Sequence, residues 1–287
     1  MKKSLAHLPP RKIEEIEHIA RIIRKESKYA EMIILFGSFA RGDWVEDVYV
    51  EDNTTYEYRS DYDILVITDL RKMADKYSVW DEIARKAGRL PIRNHVTIIA
   101  HEIEYVNAQL AKSQYFFSDI IKEGIMLYDS GKLKLAQSRE CDTKQRAINA
   151  KEGFEQWFQN AADYYQQFGR ALEDQKYKIA AFLLHQATEA LYSTISLVFT
   201  NYKPKTHFLD TLGSFASSYD SRFITIFPQT TDHEKECFKL LNKAYVDARY
   251  KKNYTITKEQ LEYLAERIKK LQQLTENICK QKIESFT

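Results

Sequence analysis

The sequence predicts an α/β (α+β) domain with a small mixed sheet, followed by an all-α helical bundle. In the first half, short apolar runs of strand length alternate with segments of helical spacing. Beyond about residue 131 only helical spacing remains, and 8 Gly and 5 Pro in 287 residues favour helices over long loops. Because the pattern changes within 129–142, we predict one domain at 1–130 and a second at 140–287.

Three apolar runs in the first half have the length of strands. They cover residues 32–36, 61–67 and 95–100. Helical spacing covers 70–88, 102–123 and, before the first strand, the apolar face of Ile13, Ile16, Ile19, Ala20, Ile22 and Ile23. Val and Tyr residues surround an Asp-Asn-Thr turn signal within 43–60, which predicts a β-hairpin between the first two strands.

Five segments in the second half carry helical spacing. They cover residues 143–173, 175–200, 206–217, 231–250 and 257–283. Pro204 separates the second segment from the third, and the stretch 224–230 forms another break. Five helices within about 150 residues are typical of a helical bundle.

Composition narrows the class of protein. Hydrophobic residues make up 44% of the chain, which is too many for a disordered protein. The net charge of +2 does not by itself predict a nucleic-acid or membrane partner. The three cysteines lie far apart without a C-x-x-C pair, which argues against a zinc ribbon or a disulfide framework. With no apolar run long enough to span a bilayer, we expect a soluble cytoplasmic protein.

The strongest local signal is the run 33–42 (IILFGSFARG), where an apolar strand meets a Gly-Ser turn. Gly37 allows a tight turn and a close approach of the backbone to a ligand. Ser38 is predicted to cap a following helix, whose N-terminus would favour phosphate. Arg41 is a candidate for a further phosphate contact. We predict a phosphate-binding turn at Gly37, Ser38 and Arg41.

A pair of acidic residues follows in the run 60–66 (SDYDILV). Asp61 and Asp63 are two apart on a predicted strand, so both carboxylates should point to the same face. Paired carboxylates are hard oxygen ligands that suit Mg²⁺. A phosphate-binding turn beside such a pair is what metal-assisted nucleotidyl transfer requires.

The order G-S-x-x-x-G followed by D-x-D resembles the DNA polymerase β-like nucleotidyltransferase superfamily, and in particular the minimal nucleotidyltransferases. The resemblance covers roughly residues 30–105. It implies that Gly37 and Ser38 hold the β- and γ-phosphates of ATP or another nucleoside triphosphate, and that Asp61 and Asp63 bind one or two Mg²⁺ ions. It also implies transfer of a nucleoside monophosphate to a hydroxyl acceptor, either a small molecule or a protein tyrosine.

The third strand departs from that family's pattern. Family members commonly carry a third carboxylate there, whereas this sequence has Thr97, with His95 as its same-face neighbour. A hydroxyl cannot take a proton from an attacking alcohol as a carboxylate can. We interpret His95 as a structural or edge residue rather than a base. Candidate substitutes for the missing acid are the hairpin residues Glu46, Asp47, Glu51 and Asp52. A nucleotide-binding or regulatory protein with impaired catalysis therefore stays open as an alternative.

The helical half resembles the HEPN domain, on the strings 185–190 (HQATEA) and 204–209 (PKTHFL). HEPN domains are often encoded beside, or fused to, minimal nucleotidyltransferases, and this chain has the same order. His185 and Glu189 are spaced to pair on a helix surface. We interpret Thr206 as the cap of the helix that follows. By resemblance, a homodimer through the helical domain is expected.

Many HEPN domains are ribonucleases with an Arg-x4-6-His motif. Here Arg249 is present, but Tyr254 occupies the histidine position at the shortest spacing, so the motif is degenerate. Arg249, Tyr250 and Tyr254, with two lysines between them, form a basic-aromatic patch that could hold phosphate or nucleotide. In related two-gene, toxin-antitoxin-like systems the transferase modifies its HEPN partner at a tyrosine near this motif. Tyr250 or Tyr254 is therefore a candidate acceptor, and RNA binding without cleavage is a further alternative.

Overall fold

A computed structural model describes residues 1–51, 54–89, 92, 94–112, 114–137 and 142–286, with only the backbone of 47–51 and 54–58. The chain divides into two compact units, Met1–Cys141 and Asp142–Thr287. The division lies within the stretch 129–142, where the sequence pattern changes. Among the described residues, no helix is both long and apolar enough to cross a membrane.

The first unit combines strands and helices. In chain order its elements are α1 (Pro10–Glu26), β1 (Met32–Phe36), α2 (Gly37–Arg41), β2 (Glu46–Glu51), β3 (Thr54–Arg59), β4 (Tyr62–Thr68), α3 (Arg71–Ala74), α4 (Tyr77–Ala87), β5 (Val96–Glu102), α5 (Ile103–Ala111), α6 (Tyr115–Glu123) and β6 (Ile125–Asp129).

Four strands of this unit form one mixed sheet in the order β5-β4-β1-β6. Strand β1 is antiparallel to β4 and to β6, whereas β4 and β5 run parallel. The register places Phe36 opposite Asp63, and Asp63 beside Thr97. The predicted small mixed sheet is confirmed, and β2 and β3 pair as the predicted hairpin.

In the first unit, α1 and α4 pack with residues of the sheet in one hydrophobic core. Every residue of β1 and β4 is buried, as expected for central strands covered on both faces. Helix α1 turns Ile16, Ile19 and Ile23 into this core, while Ile13 and Ile22 at the margins of the predicted face are only partly buried.

Three predictions for the first unit were wrong in detail. The helix predicted over 70–88 is interrupted between α3 and α4, and that over 102–123 between α5 and α6. Strand β6 was not predicted, because its short run follows α6 with only Gly124 between them. Ser38 is not a helix cap, since α2 begins at Gly37 with Phe36 at the cap position and no side-chain cap bond.

The second unit is helical, with α7 (Thr143–Glu173), α8 (Tyr177–Thr200), α9 (Leu209–Tyr219), a 3₁₀ helix (Ser221–Ile226), α10 (Asp232–Tyr250) and α11 (Lys258–Glu284). Helix α8 is buried along most of its length and packs against α7, α9, α10 and α11. Capping boxes at Thr231 and Thr257 fix where α10 and α11 begin. The predicted cap at Thr206 was wrong, because α9 begins at Leu209 with Phe208 at the cap position.

Candidate functional site

The Gly-Ser turn lies against the acidic strand. Strand β1 ends at Phe36, and Gly37 then adopts a φ of +72°, a conformation that side chains with a Cβ rarely tolerate. A Cβ built on Gly37 would collide with the Asp63 carboxylate, whose Cγ would lie 3.2 Å away. The position therefore requires glycine for two reasons, its backbone conformation and its contact with Asp63.

The other two residues of the predicted phosphate-binding turn lie in α2. Ser38 is in the first turn of this helix and is partly exposed. Arg41 ends the helix and donates from Nε to Asp43 Oδ2 at 3.0 Å. The Arg41 charge also acts against the raised pKa of Asp63. The helix after the turn thus supplies one cation that favours the ionised form of Asp63.

The two acids differ in environment. Asp63 is 6% exposed, and burial first, then the neighbouring charge of Asp61, raises its pKa well above the ordinary value. The side chain of Asp61 is 12% exposed. A cation bound beside Asp61 would offset the repulsion that raises the pKa of Asp63.

Thr97 and His95 both contact Asp61. Thr97 Oγ1 donates to Asp61 Oδ2 at 3.3 Å, and His95 Nδ1 lies 3.2 Å from the same oxygen. Thr97 is buried, whereas the His95 side chain is 56% exposed. Thr97 therefore holds Asp61 in position as a hydrogen-bond donor.

The donor set suits a magnesium ion only together with a ligand. Among the described side chains, no group of three His, Cys, Asp or Glu is placed to hold a metal. Mg²⁺ in nucleotide sites commonly takes one or two carboxylates, with phosphate oxygens and water as the other ligands. Asp61 and Asp63 beside the Gly37 turn fit that arrangement.

Within the described side chains of the hairpin, no acid is free to supply a third carboxylate. Glu46 is bound by the ammonium of Lys12; burial opposes its ionisation, but Lys12 leaves its pKa below the usual value. The predictions for Asp52 and for the side chains of Asp47 and Glu51 lie outside the described residues.

A buried lysine behind the acidic strand was not predicted. Lys12 is 4% exposed and donates to Asn94 Oδ1 at 2.7 Å. Its Nζ lies 5.6 Å from the ring centre of Phe39 in α2 and 5.7 Å from that of Tyr62 in β4. Lys12 thereby contacts both the helix after the Gly-Ser turn and the residue between the two acids. No sequence pattern indicates this burial, because one lysine at the start of an amphipathic helix is ordinarily exposed.

Glu15 completes this buried cluster. It accepts from Tyr62 Oη at 2.5 Å and from Arg11 Nε at 2.9 Å. Burial, and then Glu15, raise the pKa of the Tyr62 hydroxyl, so that it stays a donor. Tyr62 therefore anchors to α1 the start of β4, the strand that carries Asp63 and directly follows Asp61.

The second unit contains a cluster of its own around Tyr245. His207 stacks on this ring with centroids 3.9 Å apart, and the Arg249 guanidinium lies 4.4 Å from the same centroid. His207 Nδ1 lies 2.9 Å from Glu189 Oε2. Burial opposes ionisation of Glu189, but the bond from His207 leaves its pKa below the usual value. Sequence analysis identified Arg249 but missed its link to His207 through Tyr245.

Two predictions about this cluster were wrong. His185 and Glu189 do lie side by side, with Nδ1 3.9 Å from Oε2, but both are buried rather than on a helix surface, and burial lowers the pKa of His185 to about 4. Tyr254 is 5% exposed and its hydroxyl donates to the Leu240 carbonyl oxygen at 3.1 Å, so it is not part of an accessible patch. Tyr250, in contrast, is 73% exposed beside Arg249.

Comparison with known proteins identifies a family match within the helical unit. Residues 154–278 match the family model of the HEPN domain. This match confirms the HEPN part of the sequence interpretation and covers α8 to α10 entirely, with most of α7 and α11. No curated protein matches the chain.

Proposed function

We propose that the first unit, joined to the HEPN domain, is a Mg²⁺-dependent nucleotidyltransferase that moves a nucleoside monophosphate from a nucleoside triphosphate to a hydroxyl acceptor. The observation that carries the proposal is the contact between Gly37 and Asp63, which brings the Gly-Ser turn against one carboxylate of the acidic pair. Each motif alone is weak evidence, but their contact in space is what the chemistry needs.

Each residue has a role in this proposal. The backbone at Gly37 and Ser38 binds the β- and γ-phosphates, and Arg41 adds a positive charge. Asp61 and Asp63 hold Mg²⁺, with Thr97 and His95 orienting Asp61. When bound, the metal neutralises the triphosphate and stabilises the departing pyrophosphate.

Transfer differs from nucleotide binding because it needs a group that takes a proton from the acceptor hydroxyl. Thr97 replaces a carboxylate and cannot accept the proton of the acceptor hydroxyl. We therefore expect nucleotide binding with slow transfer. A regulatory protein that binds nucleotide without transferring it is the corresponding alternative, and binding without pyrophosphate release across a panel of acceptors favours it.

Replacing both acids with Asn tests the site. We expect calorimetric titration with Mg²⁺ and each of the four ribonucleoside triphosphates to give binding to the wild type and none to Asp61→Asn/Asp63→Asn. Lys72→Ala, an exposed change in α3, is the control and should bind normally. Equal binding by wild type and the double variant would place the nucleotide elsewhere.

The same titrations should be paired with thermal unfolding without metal. A carboxyl whose folded pKa is raised binds protons more tightly in the folded state, so stability falls as the pH rises above about 3.9, the ordinary value for Asp. Asp63 therefore destabilises the metal-free protein at neutral pH. We expect Asp63→Asn to stabilise it by about 1 kcal/mol while abolishing metal-nucleotide binding. Loss of both properties would indicate general misfolding.

A tyrosine of the HEPN domain is one candidate acceptor. After incubation with ATP and Mg²⁺, we expect mass spectrometry to find a nucleoside monophosphate on Tyr250, which is exposed, and none on Tyr254, which is buried. Tyr250→Phe and Asp61→Asn/Asp63→Asn are the controls and should stay unmodified. An unmodified 249–254 peptide in the wild type would favour a small-molecule acceptor.

RNA binding by the HEPN domain is a second candidate function. Arg249, stacked on Tyr245 and Tyr250, presents a cation and aromatic surface of the kind that holds single-stranded RNA. We expect Arg249→Ala to weaken oligoribonucleotide binding. The slope of log K against log salt should fall by the amount that corresponds to about one lost phosphate contact. Arg222→Ala, at an exposed arginine paired with Asp220, is the matched control. A salt-independent signal would contradict this function.

A homodimer through the HEPN domain is part of the same proposal. Phe208 and Val246 are 50% and 49% exposed, and apolar side chains of this size are more stable when covered.

A further inference from the structure

A basic pocket lies at the C-terminal end of α1, beyond the end of β1 that is opposite Gly37. Its volume is about 360 Å³, and its walls include Arg21, Arg24, Lys25 and Lys28, with Tyr128 of β6. Because the first three residues follow helical spacing within α1, their side chains lie on one face. None of the described residues that line the pocket is acidic.

The four cations are not neutralised by partners within the described parts of the chain. Glu26 and Glu31, the acids on either side of Lys28 in sequence, are engaged elsewhere, by Lys86 and by Lys132. Arg21 donates only to a backbone oxygen, that of Glu17 at 3.4 Å. Since the whole chain has a net charge of +2, this positive charge is a local feature.

The aromatic wall makes the pocket more selective than a general anion site. The Arg24 guanidinium lies 4.0 Å from the ring centre of Tyr128. A guanidinium plane over a phenol ring forms a flat platform of the kind on which nucleobases stack. Interaction with the negative C-terminal end of the α1 dipole would explain the positions of Arg24 and Lys25. It does not explain Arg21, a turn earlier, or Lys28, which lies beyond the helix.

We propose that this pocket binds a nucleotide unit, with its phosphate held by Arg21, Lys25 and Lys28 and its base beside the platform of Arg24 and Tyr128. A volume of about 360 Å³ has room for one such unit. The unit comes either as a free nucleotide or as part of a single strand, since both present the same chemistry. The site is separate from Asp61 and Asp63 and does not rest on the transferase proposal.

Fluorescence anisotropy with a labelled short oligouridylate tests the pocket. The measurement is made in EDTA, which removes metal-dependent binding at Asp61 and Asp63, and in an Arg249→Ala background. We expect Arg21→Ala/Lys25→Ala to weaken binding about tenfold and to lower the slope of log K against log salt by about 1.4. Lys72→Ala/Lys76→Ala removes the same charge from exposed positions in the same unit and should bind normally.

A stacking variant and competitors complete the test. Tyr128→Leu should weaken binding of the oligonucleotide but leave binding of inorganic tripolyphosphate unchanged. Displacement by uridine monophosphate identifies a free nucleotide as sufficient, whereas displacement only by unlabelled oligouridylate identifies a strand. Equal affinities of the two double variants, or equal displacement by polyaspartate, would overturn the proposal.

Discussion

Gly37→Ala should destabilise the first unit and abolish nucleotide binding. Gly131→Ala should destabilise the unit less and leave nucleotide binding unchanged. Both glycines have a positive φ, +72° and +75°. A Cβ at Gly131 meets nothing within 4 Å, while a Cβ at Gly37 meets the Asp63 carboxylate. Backbone strain alone costs about 1 kcal/mol, and overpacking against Asp63 adds about 1–3 kcal/mol.

The difference between the two variants isolates the contact that supports the proposed site. Chemical denaturation gives the free energy of unfolding of each, and calorimetry gives the affinity for Mg²⁺ with nucleoside triphosphate. Gly37→Ala/Asp63→Ala should regain the overpacking part of the stability but not the binding. If Gly37→Ala were no worse than Gly131→Ala in either measurement, the turn and the carboxylate would not be in contact.

The contact between Gly37 and Asp63 could be predicted because its parts are local. The Gly-Ser turn ends one apolar strand, and the D-x-D pair begins another, so pairing of β1 with β4 is enough to bring them together. The chemistry of each motif is legible from its own residues. Likewise, the local spacing of apolar residues predicts strands β1, β4 and β5, and it predicts α7 to α11 in the second unit.

What could not be predicted depends on long-range packing. Lys12 and Asn94 are 82 positions apart, and nothing local distinguishes this lysine from an exposed one. Tyr254 looked like part of an exposed basic patch, but its hydroxyl is bound by a carbonyl oxygen of α10. The break between α5 and α6 was hidden for another reason, because apolar spacing continues across it.

Lys12→Met should be among the most destabilising single substitutions in the first unit, because it removes a buried cation and leaves its acidic partners behind. Lys12 and Glu15 have side chains 5% and 4% exposed. Breaking a buried ion pair by removing one partner costs about 3–5 kcal/mol. Arg11 still contacts Glu15 at 2.9 Å, so we expect the lower end of that range. Lys86→Met breaks a surface pair with Glu26 and should cost less than about 1 kcal/mol.

A second substitution separates lost charge balance from lost packing. Glu15→Gln added to Lys12→Met removes the uncompensated buried charge, so the double variant should be more stable than Lys12→Met alone. Its affinity for Mg²⁺ with nucleoside triphosphate should nevertheless stay reduced, because the ammonium no longer contacts Phe39 and Tyr62, the rings attached to the turn and to the acidic strand. Full recovery of affinity in the double variant would show that Lys12 stabilises the fold without positioning the site.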